Sequence, residues 1–196
     1  MITLASQSAA RAAMLSAAGV SFTASAANVD EEAITAGLAA EGASAARVAD
    51  ALAEVKAVKV SRRVPGLVLG ADSIVVTADG RFLAKPGSRD GAAAQLRGLS
   101  GTTHQLVSAA VIAEGGVAVW RATDSARLTM RTLSDAFIAD YLDRADPGII
   151  HCVGSYHIEG IGAQLFTRID GDQFTIRGLP LLAVLDYLRL RGELAT

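Results

Sequence analysis

Apolar positions along this chain change period several times, and each change marks a predicted element. Residues 1–5 read as a short strand entering a Ser-rich turn, and residues 10–18 as a helix stopped by Gly19. Residues 20–23 form a candidate second strand, followed by an acidic loop at Asp30, Glu31 and Glu32 and a long helix over 44–62. The apolar run 67–77 reads as a strand that turns at Ala78-Asp79-Gly80 into Phe82 and Leu83, a hairpin with Asp-Gly at its tip. Ser88 caps a helix whose Ala92, Leu96 and Leu99 recur at i, i+4 and i+7, and Ser100-Gly101 ends it. Two strands follow over 103–113 and 117–130. Ser134 begins a helix with Phe137, Ile138, Tyr141 and Leu142 on one face. A glycine-rich, β-like region comes next, and Pro180 stands in the first turn of a last helix through Leu190. Strands and helices alternating without a strict period predict an α/β fold: a mixed twisted sheet with flanking helices, in two lobes around a cleft. With no internal repeat and no linker, residues 1–196 read as a single domain.

Composition narrows what such a fold can do. A chain of 196 residues, 51% of them hydrophobic and 19% charged, can bury roughly 70% of its unfolded surface and is no disordered polyampholyte. A net charge of −2 supplies no basic stripe, which argues against long DNA or RNA as a ligand and leaves open a small anion held by a few local cations. The one cysteine, Cys152, permits neither an intrachain disulfide nor a Cys-rich zinc site and suits a reducing compartment. The best apolar run, 67–76, is broken by Asp72, so no membrane-spanning helix is expected. The first 27 residues carry Arg11, no acid, and Ala24-Ser25-Ala26, a stretch similar to a leader-cleavage site. Against a leader, Ile2 and Leu4 precede the only charge and residues 12–20 are weakly hydrophobic, so the cytoplasm is the expected compartment.

Against that background a few residues stand out. Asp72 lies inside Val68-Leu69-Gly70-Ala71-Asp72-Ser73-Ile74-Val75-Val76, where an unpaired buried carboxylate would cost several kcal/mol. It must face a cleft, a cation or a metal, or else sit at a strand end accepting backbone hydrogen bonds. Ser6, Ser8 and Arg11 fall where a strand hands over to a helix, whose exposed N–H groups favour phosphate; an ordinary Ser8 cap with a surface Arg11 is the alternative. Taken singly, Lys56, Lys85, Glu31 and Glu32 read as ordinary solvated groups, though a triphosphate hydrolase needs carboxylates for Mg²⁺. No phosphate-loop Gly-Lys-Ser/Thr is present, and the segment 154–162 lacks a dinucleotide fingerprint. His151 and Cys152 are neighbours and would point to opposite faces of a strand, which argues against a thiol nucleophile built from that pair. His104, His151 and His157 have no metal-ligand spacing.

Taken in order, the motifs resemble the Maf family of nucleoside triphosphate pyrophosphatases over nearly the whole chain. Leu4-Ala5-Ser6-Gln7-Ser8-Ala9-Ala10-Arg11 is similar to the family's Leu-Ala-Ser-x-Ser-Pro-Arg-Arg opening. Val29-Asp30-Glu31, Lys56-Ala57 and Gly70-Ala71-Asp72-Ser73 resemble its acidic motif, helical lysine and central Gly-Ala-Asp-Thr. Lys85-Pro86, Leu99-Ser100-Gly101-Thr102-Thr103-His104, Gly154-Ser155-Tyr156 and Gly178-Leu179-Pro180-Leu181 follow in the family's order. The resemblance implies a cytoplasmic hydrolase, dependent on Mg²⁺ or Mn²⁺, that cuts a nucleoside triphosphate in a substrate cleft to a monophosphate and pyrophosphate. It implies Asp72 as general base, Ser8, Arg11, Lys56, Lys85 and Glu159 as substrate contacts, Glu31 with Asp72 as metal carboxylates, and a homodimer.

Three departures bear on substrate choice. Ala9-Ala10 replaces the family's Pro-Arg and removes a cation, Ser73 stands for Thr, and Glu159 replaces the Gln of the dTTP/UTP branch, resembling instead the branch acting on 7-methyl-GTP. A carboxylate there accepts from a guanine N–H edge or meets a cationic base, whereas glutamine both donates and accepts. Ala10, Ser73 and Glu159 are therefore the expected specificity positions, for a modified or non-standard nucleotide. A nucleotide-binding regulator of growth or division, without turnover, is the alternative that the missing arginine favours.

Overall fold

The computed structural model describes residues 1–195. In chain order the elements are β1 (Ile2–Leu4), α1 (Ala9–Ala17), β2 (Phe22–Ala24), α2 (Glu31–Ala40), α3 (Ala45–Ser61), β3 (Val68–Val76), α4 (Arg89–Leu99), β4 (Thr103–Glu114), β5 (Val117–Met130), α5 (Asp135–Arg144), β6 (Phe166–Asp170), α6 (Gln173–Ile176) and α7 (Leu181–Leu190). The strands form one six-stranded sheet in the order β2-β1-β3-β4-β5-β6. β1 runs parallel to both β2 and β3, and β5 pairs antiparallel with β6, so the sheet is mixed as expected. Two compact units divide the described residues: 1–73, 107–124 and 177–195 form the first, and 74–106 and 125–176 the second.

Local chemistry explains most boundaries. Ser8, Ser44, Ser88 and Ser134 each accept a hydrogen bond from the backbone N–H three residues on, which satisfies an otherwise orphaned donor at the start of α1, α3, α4 and α5. In the first unit, α3 lies directly on β3 at Gly70. A Cβ there would come 2.2 Å from the Ala53 carbonyl oxygen and 2.7 Å from the Ala57 amide nitrogen, a separation that only glycine permits. Val48, Leu52, Ala53, Ala57 and Val60 are all buried on that side of the helix. The second unit has its own core, in which Leu96, Leu99, Leu128, Met130, Ile138 and Tyr141 pack together.

Three sequence expectations shift. The acidic stretch is not a loop but the first turn of α2, because Asp30 caps that helix by accepting from Ala33 N at 3.0 Å. Glu31 and Glu32 then sit where the helix dipole favours negative charge. The glycine-rich region is only partly β: it contains two 3-10 turns, Pro147–His151 and Ile161–Leu165, before the short β6 and α6. Pro180 is the residue before α7, one position ahead of its first turn.

Candidate active site

Asp72 is 7% exposed in the middle of β3, and Lys56 is 6% exposed on the face of α3 that packs against that strand. The close contact at Gly70 brings the two together: Lys56 Nζ donates to Asp72 Oδ1 at 2.5 Å. The same ammonium stands 2.5 Å from Glu31 Oε1, which α2 presents from its first turn. One buried cation thus joins two carboxylates from separate elements, and their oxygens stand no further apart than twice that distance. Buried ions are tolerated only when paired in this way. Both oxygens face the ammonium; in kind, carboxylates are the hard oxygen donors that Mg²⁺ or Mn²⁺ takes, commonly one or two from protein with water and substrate phosphate filling the shell. Among the described residues no set of three His, Cys, Asp or Glu side chains is arranged to hold a metal.

The next residue on β3 leads to the second cluster. Ser73 Oγ accepts from Arg11 Nη2 at 3.2 Å and lies 2.8 Å from Ser108 Oγ, which is fully buried on β4. Arg11 Nε donates to the Gly178 carbonyl at 2.8 Å, and Nη1 to Ser6 Oγ at 3.2 Å. Its guanidinium is therefore held from three sides beside the start of α1, where Ser8 Oγ accepts from Arg11 N. Gly178 has φ +100°, and a Cβ there would press to 3.2 Å on both Arg11 Nε and Ser73 Oγ. That close approach accounts for a glycine at this point of the Gly178-Leu179-Pro180-Leu181 motif. Ala10 lies half-buried in the first turn of α1.

The first unit thus brings together Glu31, Lys56 and Asp72, and beside them Ser8, Arg11 and Ser73. Ser6, which the sequence placed with Ser8 and Arg11 at the strand-to-helix handover, and Ser108, which it did not single out, complete the second cluster. For Ser108 the available hint was a hydroxyl amid the apolar run of β4.

Lys85 and Glu159 belong to the second unit and are both exposed. Glu159 lines a cavity of about 240 Å³ together with Tyr141, Asp146 and His157. Nearby, Cys152 Sγ lies 2.9 Å from Nε2 of His157, not of its neighbour His151. His104 is buried, with Nε2 2.9 Å from the Tyr156 hydroxyl and Nδ1 without a hydrogen-bond partner among the described residues. Burial lowers the His104 pKa to about 4, so its ring is neutral near pH 7. A larger hollow of about 540 Å³ on the outer side of α3, lined by Arg47, Val55, Val58, Lys59 and Arg62, contains none of these site residues.

The family description "Maf-like protein" matches residues 1–191, and the chain belongs to the Maf family. A protein of Sphingopyxis alaskensis named nucleoside triphosphate pyrophosphatase is 52% identical over 192 residues, covering 97% of each chain. A relative of the same name from Caulobacter vibrioides is 51% identical over 193 residues, 98% of this chain and 96% of its own. Nucleoside triphosphate pyrophosphatase 1 of a Jannaschia species is 50% identical over 194 residues, 99% of this chain and 98% of its own.

Proposed function

We propose that this chain is a nucleoside triphosphate pyrophosphatase acting as one domain over its whole length. Water attacks the α-phosphorus, the bond from that phosphorus to the oxygen bridging to the β-phosphorus breaks, and nucleoside monophosphate and pyrophosphate leave. The observation that carries this reading is the buried Lys56 ammonium held between Glu31 and Asp72, one step along β3 from the Arg11 cluster. Names of relatives about 50% identical over nearly full length support the same reaction.

Roles follow from charge and position. The triphosphate carries about four negative charges, so fixed cations placed before substrate arrives stabilise it without reorganisation. Arg11, already oriented by Ser6, Ser73 and the Gly178 carbonyl, binds phosphate oxygens together with the N–H groups opening α1 and the Ser8 hydroxyl. Lys85 supplies a further cation, and Asp72 accepts the proton of the attacking water. Glu31 and Asp72 would hold Mg²⁺ or Mn²⁺, whose chemistry when bound is to offset phosphate charge and make a bound water more acidic. Lys56 keeps the two carboxylates in register and limits their mutual repulsion.

Glu159 reads the base, with Ala10 and Ser73 as secondary specificity positions, and the preferred substrate is a modified or non-standard nucleotide whose base presents N–H donors or positive charge to the carboxylate. The enzyme works in the cytoplasm as a homodimer. The test is a pyrophosphate-release assay over a nucleotide panel with Mg²⁺ or Mn²⁺. Orthophosphate as the first product would overturn the assignment.

A further inference from the structure

Lys85 and Glu159 are far apart in sequence, yet one side chain ties the segments that carry them, and no sequence motif pointed to it. Gln95, half-buried on α4, donates through Nε2 to the Ala84 carbonyl at 2.6 Å. Its Oε1 accepts from Gly154 N at 3.1 Å and from Ser155 Oγ at 3.0 Å. The orientation of the amide is fixed by its partners, because the Ala84 carbonyl oxygen can only accept and the Gly154 N–H can only donate.

Both anchored segments need the hold. Ala84 immediately precedes Lys85, an exposed residue in a stretch without helix or strand. The backbone on either side is pinned by Leu83 N to the Val75 carbonyl and by Gly87 N to the Ile150 carbonyl, and Gln95 supplies a side-chain anchor between those two points. On the other segment, Gly154 and Ser155 both have positive φ, +88° and +62°. For a fully buried, non-glycine residue that conformation is strained and persists only where the surroundings over-determine it. Ser155 is held by its hydroxyl on Gln95, its N–H on the Cys152 carbonyl, and its carbonyl on the Tyr141 hydroxyl at 3.1 Å. This turn starts the run through buried Tyr156 to Glu159.

We infer that Gln95 is a positioning residue that sets the register of Lys85 against Glu159, and so couples phosphate binding to discrimination of the base. The inference rests on the proposed pyrophosphatase reading, in which Lys85 meets phosphate and Glu159 the base. Gln95 touches neither reacting atoms nor substrate; it acts through the two loops.

The experiment measures kcat and KM for pyrophosphate release, for the preferred and the next-best triphosphate, in wild type, Gln95→Met, Gln95→Glu, Lys85→Ala and Gln95→Met/Lys85→Ala. Methionine keeps size and helix preference while removing all three hydrogen bonds. Gln95→Met is expected to lower kcat/KM roughly 10- to 100-fold, mainly through KM, and to shrink the ratio between the two nucleotides. In the Lys85→Ala background the same change should lower kcat/KM less than about threefold, since the cation it positions is gone. Gln95→Glu keeps the acceptor for Gly154 and Ser155 but loses the donor to Ala84. It should therefore retain nucleotide discrimination while losing the Lys85 contribution. A wild type that releases no pyrophosphate would overturn the function and this inference with it. An active wild type with unchanged selectivity in folded Gln95→Met, or equal losses in both backgrounds, would overturn the inference alone.

Discussion

Lys56 donates from one buried ammonium to Asp72 on β3 and to Glu31 on α2, so the position of each carboxylate depends on the other's partner. Removing the cation leaves the buried Asp72 carboxylate unpaired and facing the partly exposed Glu31 carboxylate. Lys56→Met is expected to destabilise the fold by about 3–5 kcal/mol, the range for breaking a buried pair from one side. Adding Asp72→Asn should recover part of that loss, with a coupling energy of at least about 1 kcal/mol in a urea-denaturation double-mutant cycle. Additive losses would mean that the ion pair contributes no specific interaction.

The contact that creates this geometry is the bare Gly70 surface under α3. Gly70→Ala drives a methyl group into the Ala53 carbonyl and the Ala57 amide, and neither backbone atom can rotate away. A loss of about 3 kcal/mol is expected from overpacking, with pyrophosphatase activity falling as Lys56 moves off Asp72. Gly98 on α4 has nothing within 4 Å of its Cβ position, so Gly98→Ala should instead stabilise by roughly 0.5–1 kcal/mol. Thermal and urea melts of the two variants check the contrast.

Stability should fall in mild acid through His104. Its folded pKa, lowered by burial to about 4, lies below the ordinary value of 6.5, so the unfolded chain takes up the proton first. The contribution is fully present above about pH 6.5 and is lost as pH falls toward 4, reaching at most about 3 kcal/mol. Urea denaturation of wild type and His104→Gln from pH 7.5 to 4.5 should show a steeper loss in wild type. Parallel profiles would rule out His104 as the source.

Arg11 and Glu159 test the two ends of the substrate. Arg11 uses Nε, Nη1 and Nη2 on three different acceptors, a fork that a lysine ammonium cannot reproduce. Arg11→Lys should lower kcat/KM by roughly 10- to 100-fold despite the retained charge. Glu159→Gln should reorder the nucleotide panel, raising pyrimidine triphosphates relative to purines. An unchanged order would remove Glu159 from base selection.

What could be read from the sequence follows the range of the forces involved. Ser44, Ser88 and Ser134 act on amides three residues away, so the starts of α3, α4 and α5 were legible from local spacing. Asp72 announced itself because a carboxylate inside an apolar strand demands a partner. Its partner was not derivable from spacing: Lys56 is sixteen residues upstream, and only the packing at Gly70 decides that the two meet. The glycine-rich region is only partly β, as β6 is, because glycines mark turns without saying which kind, and the left-handed Ser155 is imposed by Gln95, Tyr141 and the Cys152 carbonyl rather than by its own preference. Family motifs supplied Lys85 and Glu159, while Gln95 left no local trace.

The central claim is tested most directly by the phosphorus product formed with Mg²⁺ from a panel of dTTP, UTP, CTP, GTP and 7-methyl-GTP, in wild type and Asp72→Asn. The account predicts pyrophosphate and nucleoside monophosphate from one or two substrates, with the rate lowered by roughly 10²- to 10⁴-fold in the variant. Nucleotide binding without turnover across the whole panel would contradict it, as would full activity in Asp72→Asn.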